Sequence, residues 1–150
     1  MQSMSILSGL RRAAGYVLMT LLTALSSVCL AEQVLIAHPS AAIDSLSVNG
    51  TRLIFSMQVN SWPDGSAVRV FVLPDDHPAH RDFSKELLGL YPRQLRRVWD
   101  RQLYSGAGQS PELVSDAEAM RKAVAGTPGA IGYLPREQID ESVRELQLQN

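Results

Sequence analysis

The chain has 150 residues, 45% of them apolar and 19% charged, with a formal net charge of −1 and a single cysteine. That balance excludes a disordered polymer and a general binder of nucleic acid or of anionic membrane surfaces. One cysteine excludes a disulfide-stapled scaffold and a multi-thiolate metal centre.

The opening residues do not read as part of a globule. "MQSMSILSGLRR" carries Arg11 and Arg12 and no acid, and a stretch of apolar and small residues follows it as far as Cys29-Leu30-Ala31. A basic start, an apolar run and a small-x-small end predict a secretory signal peptide over residues 1–31, cut after Ala31. The other reading is an uncleaved anchor, since about 18 to 20 apolar residues span a bilayer. Val28 argues against lipoprotein processing before Cys29. Removal of Arg11 and Arg12 leaves 12 basic against 15 acidic residues in 32–150, a net charge of −3. The cysteine leaves with the signal. The expected product is one mildly acidic domain with one modest core, secreted or periplasmic and held by packing alone.

Along residues 32–150, Glu32 to Pro39 ("EQVLIAHP") reads as a buried strand. A short helix is expected from Ser45 or Ser47, followed by turn chemistry in "NSWPDGS" and a second strand over Ala67–Pro74. From Pro78 the period becomes helical, with Phe83, Leu87 and Leu88 on one face and Gly89 as the stop. A second long helix places Leu95, Val98, Trp99 and Leu103 on one stripe and ends at Gly106. Ser115 with Glu118 three residues on reads as a capping box. The helix it starts buries Ala117, Met120 and Val124, and Gly126 closes it with a positive φ. "AIGYL" is a third strand, and "PREQIDESVREL" is expected to form a last short helix. Strands alternating with helices predict an α/β domain.

Several stretches, in order, resemble phosphate-type ABC transporter periplasmic solute-binding proteins. "LSVNGTRLIFSMQVNSWPDGS" is similar to their short helix leading to "IF" and then to "W-x-D-G". "LRRVWDRQLYSGAGQSPELVSDAEAMRKAVAGTPGAIGYL" is similar to their Trp helix, Gly-rich loop, capped helix and "P-G-A-I-G-Y" strand. The resemblance implies a type 2 periplasmic binding protein lobe over 32–150, a small mixed sheet flanked by helices. It implies one lobe, because the mature chain lacks the first lobe and its phosphate loop. The second phosphate loop of the family, an arginine shortly before Ser-Gly-Thr at a helix start, falls on His77-Pro78-Ala79, with no arginine before it. The fold is therefore expected with an altered site. The implied role is non-catalytic: binding of phosphate or another small oxyanion, or service as an accessory to the membrane components of an ABC uptake system. The alternative is a module for interaction with, or assembly of, another periplasmic protein.

The chemistry-bearing stretch is "LPDDHPAHRDF" (Leu73–Phe83). A helix starting near His77 offers free amides to an anion, with His77, His80 and Arg81 as added donors and Asp76 beside them. These four residues, Asp76, His77, His80 and Arg81, are the candidate ligand-binding set. Asp75 and Asp76 compete as caps of the same amides and repel anions. His77 and His80, three apart, also have the spacing of two metal ligands, while the cap reading leaves the stretch as solvated surface. No nucleophile accompanies them, so no catalytic residue, cofactor or metal is assigned. Arg93, Arg97 and Arg101 share the outer face of their helix, with Asp100 placed to pair with Arg96 or Arg97.

Overall fold

The computed structural model describes residues 31–106 and 108–150. The expected signal peptide at the start lies outside the described residues, apart from Ala31. Among the described residues no helix is long and apolar enough to cross a membrane.

Among the described residues six strands and four helices follow one another: β1 (Gln33–Ala37), β2 (Ser45–Ser47), α1 (Val48–Phe55), β3 (Arg69–Val72), α2 (Pro78–Asp82), α3 (Pro92–Tyr104), β4 (Glu112–Leu113), α4 (Ala117–Gly126), β5 (Ala130–Pro135) and β6 (Arg144–Gln149). The strands form one mixed sheet in the order β2-β6-β1-β5-β3-β4. β1 runs antiparallel to both β5 and β6, whereas β2 is parallel to β6, and β3 is parallel to both β4 and β5. Five strands thus run one way and β1 alone runs against them. The α/β reading holds, with the mixed sheet that the resemblance implied.

Alternation along β5 assigns the two faces. At Gly132 a Cβ would stand 2.5 Å from Met120 Sδ and 3.1 Å from Val124, so α4 packs directly on the bare backbone of the strand. Tyr133, the next residue, points the other way. Its ring stacks on Phe83 at 3.8 Å between centroids and tilts against Phe55 at 6.0 Å. That second face is closed by α3, where Trp99 is buried and its indole N–H donates to the Phe55 carbonyl at 2.7 Å.

The structure corrects five local expectations. The segment read as a last helix is a single 3₁₀ turn, Arg136–Gln138, followed by β6. Leu146 and Leu148 alternate with polar residues, and that period of two outweighs the helix-forming Glu and Gln around it. The helix from Pro78 stays α-helical only to Asp82 and widens into a π turn over Phe83–Leu87, ending at Gly89 with φ +64°. Leu103 is 54% exposed, so Leu95 and Trp99 carry the buried stripe of α3. The cap of α4 is Asp116, whose Oδ1 accepts from the Ala119 N–H at 2.9 Å, while Ser115 donates to Asp116 and Glu118 pairs with Lys122. Gly126 ends α4 without a positive φ; the left-handed glycine is Gly129, at +78°, where any Cβ would meet the Ala67 carbonyl at 2.3 Å.

Candidate functional site

Because five strands share a direction, their carboxyl ends lie on one edge of the sheet, the edge where open α/β sheets bind ligands. Three helices start there. Each one is closed by its own side chain: Ser47 Oγ accepts from Gly50 N–H at 3.0 Å, His77 Nδ1 from Ala79 N–H at 3.2 Å, and Asp116 Oδ1 from Ala119 N–H. Asp116 is held below the usual carboxylate range first by that backbone hydrogen bond, then by Ser115. The cap of α2 is therefore His77, where Asp75 or Asp76 was expected.

The stretch 75–81 divides into an inner and an outer half. Inside, His80 is fully buried. Its Nδ1 lies 2.5 Å from the Tyr133 hydroxyl, which accepts from the buried Leu73 N–H at 2.9 Å. Among the described residues Nδ1 is the acceptor within reach of the Tyr133 hydroxyl proton, so that proton is assigned to Nδ1 and the proton of the imidazole to Nε2. That nitrogen faces Ser84 Oγ at 3.4 Å and Asp75 Oδ1 at 3.9 Å. Burial lowers the His80 pKa from 6.5 to about 4, against the partial opposition of Asp75. Burial likewise raises the Tyr133 hydroxyl well above its ordinary value. His80 is a neutral hub tying β3, α2, the π turn and β5 together.

Outside, Asp75 and Asp76 with Arg81, Tyr91, Pro92 and Arg93 line an open cavity of about 500 Å³ at the carboxyl end of β3. Asp75 is neutralised by a bidentate ion pair with Arg96 at 2.8 and 3.1 Å, and the Arg96 guanidinium also lies 5.0 Å from the Trp99 ring. Asp100 was expected to pair with Arg96 or Arg97 within the helix; Arg96 reaches Asp75 instead. Arg81 donates to the Asp76 carbonyl at 2.9 Å. Among the described residues neither Arg81 nor Arg93 forms a salt bridge. With Asp75 cancelled, the rim holds two guanidinium groups against the one carboxylate of Asp76.

Of the four candidate residues, Asp76 and Arg81 reach this cavity, while His77 caps α2 and His80 lies in the core. The two histidines point apart, and among the described residues no three His, Cys, Asp or Glu side chains gather to hold a metal. Arg93 and Tyr91 at the rim and the hub role of Tyr133 were missed from the sequence. Tyr133 belonged to a strand read only for its turn and glycines, and nothing in its neighbours tells which face it takes.

No family model and no curated protein matches the chain. Solved structures do. An ABC-type phosphate transport receptor from Vibrio cholerae superposes with a TM-score of 0.62 at 13% identity, over 77% of this chain and 45% of that one. PstS from Borrelia burgdorferi gives 0.59 at 13% identity, over 79% and 47%. A high-affinity periplasmic phosphate-binding protein solved with phosphate gives 0.52 at 14% identity, over 80% and 38%. The chain spans less than half the length of each of these receptors. Its fold is that of the matching part of a phosphate-binding ABC transport receptor.

Proposed function

We propose that this chain is an exported, non-catalytic solute-binding-like lobe whose ligand is a small oxyanion, working beside the membrane components of an ABC uptake system. One observation carries the reading: the excess positive rim of Arg81 and Arg93 opens at the carboxyl end of β3, on the edge where this fold presents its ligand. The site differs from bare helix amides, since His77 and Asp116 already occupy those. Guanidinium groups, not the start of α2, are the donors. The same edge lies open to solvent, so one copy of this lobe grips an anion from one side only.

Thermal shift and calorimetry with phosphate, sulfate and related oxyanions test this. One anion is expected to raise Tm saturably, by an amount corresponding to about 2.7 kcal/mol at a hundred times its Kd. Arg93→Ala should weaken that binding about tenfold. No response to any oxyanion sinks the ligand reading and leaves the alternative, a module for interaction with or assembly of another exported protein. Cleavage of the leader is tested by the amino terminus of the exported product, expected at Glu32; an exported product that keeps Met1 supports the uncleaved anchor instead.

A further inference from the structure

The cavity at the carboxyl end of β3 is larger and less polar than an inorganic ion requires. Its volume of about 500 Å³ falls among clefts of roughly 300–1,000 Å³ that seat an organic molecule. Beside the charged groups, its wall is made of Tyr91 and Pro92. Arg81 and Arg93 are both exposed, so water screens their attraction for an ion, and exposed pairs of that kind are weak by themselves. A ligand that also covers the apolar wall adds a contact that a bare ion cannot make.

Tyr91 is the centre of that wall. Its side chain is largely exposed, yet the backbone beneath it is fixed. Gly89, at φ +64°, reverses the chain before it. The Tyr91 N–H donates to Gln94 Oε1 at 2.8 Å, and its carbonyl accepts from the Gln94 and Leu95 N–H groups at 2.8 and 3.1 Å. Pro92 sets the first turn of α3. The phenol ring therefore projects from a rigid point. It lines the 500 Å³ cavity and also a smaller hollow of about 190 Å³ formed with Lys85, Gly89 and Leu90. Lys85 Nζ lies 5.9 Å from the ring centroid, a further cation beside it. An aromatic face held out next to guanidinium groups suits a flat apolar group that carries negative charge.

We infer, resting on the oxyanion reading of this rim, that its ligand is an organic phosphate or sulfate with a flat apolar substituent. Arg81 and Arg93 take the oxyanion, and the substituent lies against Tyr91 and Pro92.

The test titrates the full chain with phenyl phosphate and phenyl sulfate, each against its inorganic ion, and with phenol, followed by calorimetry and by the ring resonances of Tyr91. One phenyl ester is expected to bind about tenfold tighter than its inorganic ion and to shift the Tyr91 resonances, while phenol does not bind saturably. Tyr91→Ala, which removes an exposed side chain and keeps the backbone hydrogen bonds, should bring the ester down to the affinity of the inorganic ion and leave that ion unchanged. Tyr91→Phe should keep the preference, and Arg93→Ala should weaken ester and ion alike. Equal affinity for ester and ion overturns the organic ligand and leaves the oxyanion reading standing. Binding of neither rejects both. A preference that survives Tyr91→Ala, or phenol binding as tightly as the ester, also overturns the inference.

Discussion

His77 and His80 stand three residues apart at one strand-to-helix junction and have opposite fates. His77 sits at the mouth of α2 and spends its Nδ1 on a backbone amide; His80 turns into the core and accepts from the Tyr133 hydroxyl. The difference teaches that a histidine pair at i, i+3 need not act together. On a helix that starts at the edge of a sheet, the first turn straddles the boundary of the core, so one position faces solvent and the next inward position faces the strands. The inner half of the stretch fixes where the outer half sits, and the outer half carries the charge.

The contrast sets the order of effects expected from substitution. His80→Ala removes a fully buried ring and strands the Tyr133 hydroxyl, and should cost about 3 kcal/mol in urea-melt stability. A loss under about 1 kcal/mol would place His80 among the rim residues. The pH dependence is the next largest. The folded pKa of about 4 lies below the unfolded 6.5, so between these values the unfolded chain binds more protons. The stability is fully present above pH 6.5, falls on the order of 2–3 kcal/mol as pH drops to about 4, and then loses nothing more through this group. His80→Gln should flatten that slope, and an unchanged slope in the variant would contradict the hub. Tyr133→Phe keeps the ring on Phe83 but deletes the hydroxyl that serves Leu73 N–H and His80 Nδ1; the expected cost is about 2 kcal/mol, read as a lowered Tm. His77→Ala loses only a cap, about 1 kcal/mol, with the His80 slope intact.

The sequence carried the architecture unevenly. β1, β3 and β5 are continuous apolar or β-branched runs, and α3 has a period and a stop that composition alone displays. The edge strands β2 and β4, of three and two residues, are too short for any period to show. β6 was legible in the alternation of Leu146 and Leu148, but the preceding "PREQ" carries a strong helix-start signature, and local propensity misled where the tertiary pairing with β1 decided. Asp76 and Arg81 could be named as candidates because they sit beside a helix start. Their partners in the cavity, Tyr91 and Arg93, come from a segment ten residues on, and only the reversal at Gly89 brings them near. The burial of His80 depends on Tyr133, fifty-three residues away, which no local pattern announces.

The account turns on His80 being a neutral structural hub and not a ligand donor at the rim. Long-range ¹H–¹⁵N correlation of its ring nitrogens from pH 7.5 to 4 measures this directly. The predicted result is a proton on Nε2 and an acceptor Nδ1, with the imidazole staying neutral until about pH 4. A ring that is protonated on both nitrogens at pH 6, or one that shifts when oxyanion is added, would contradict it.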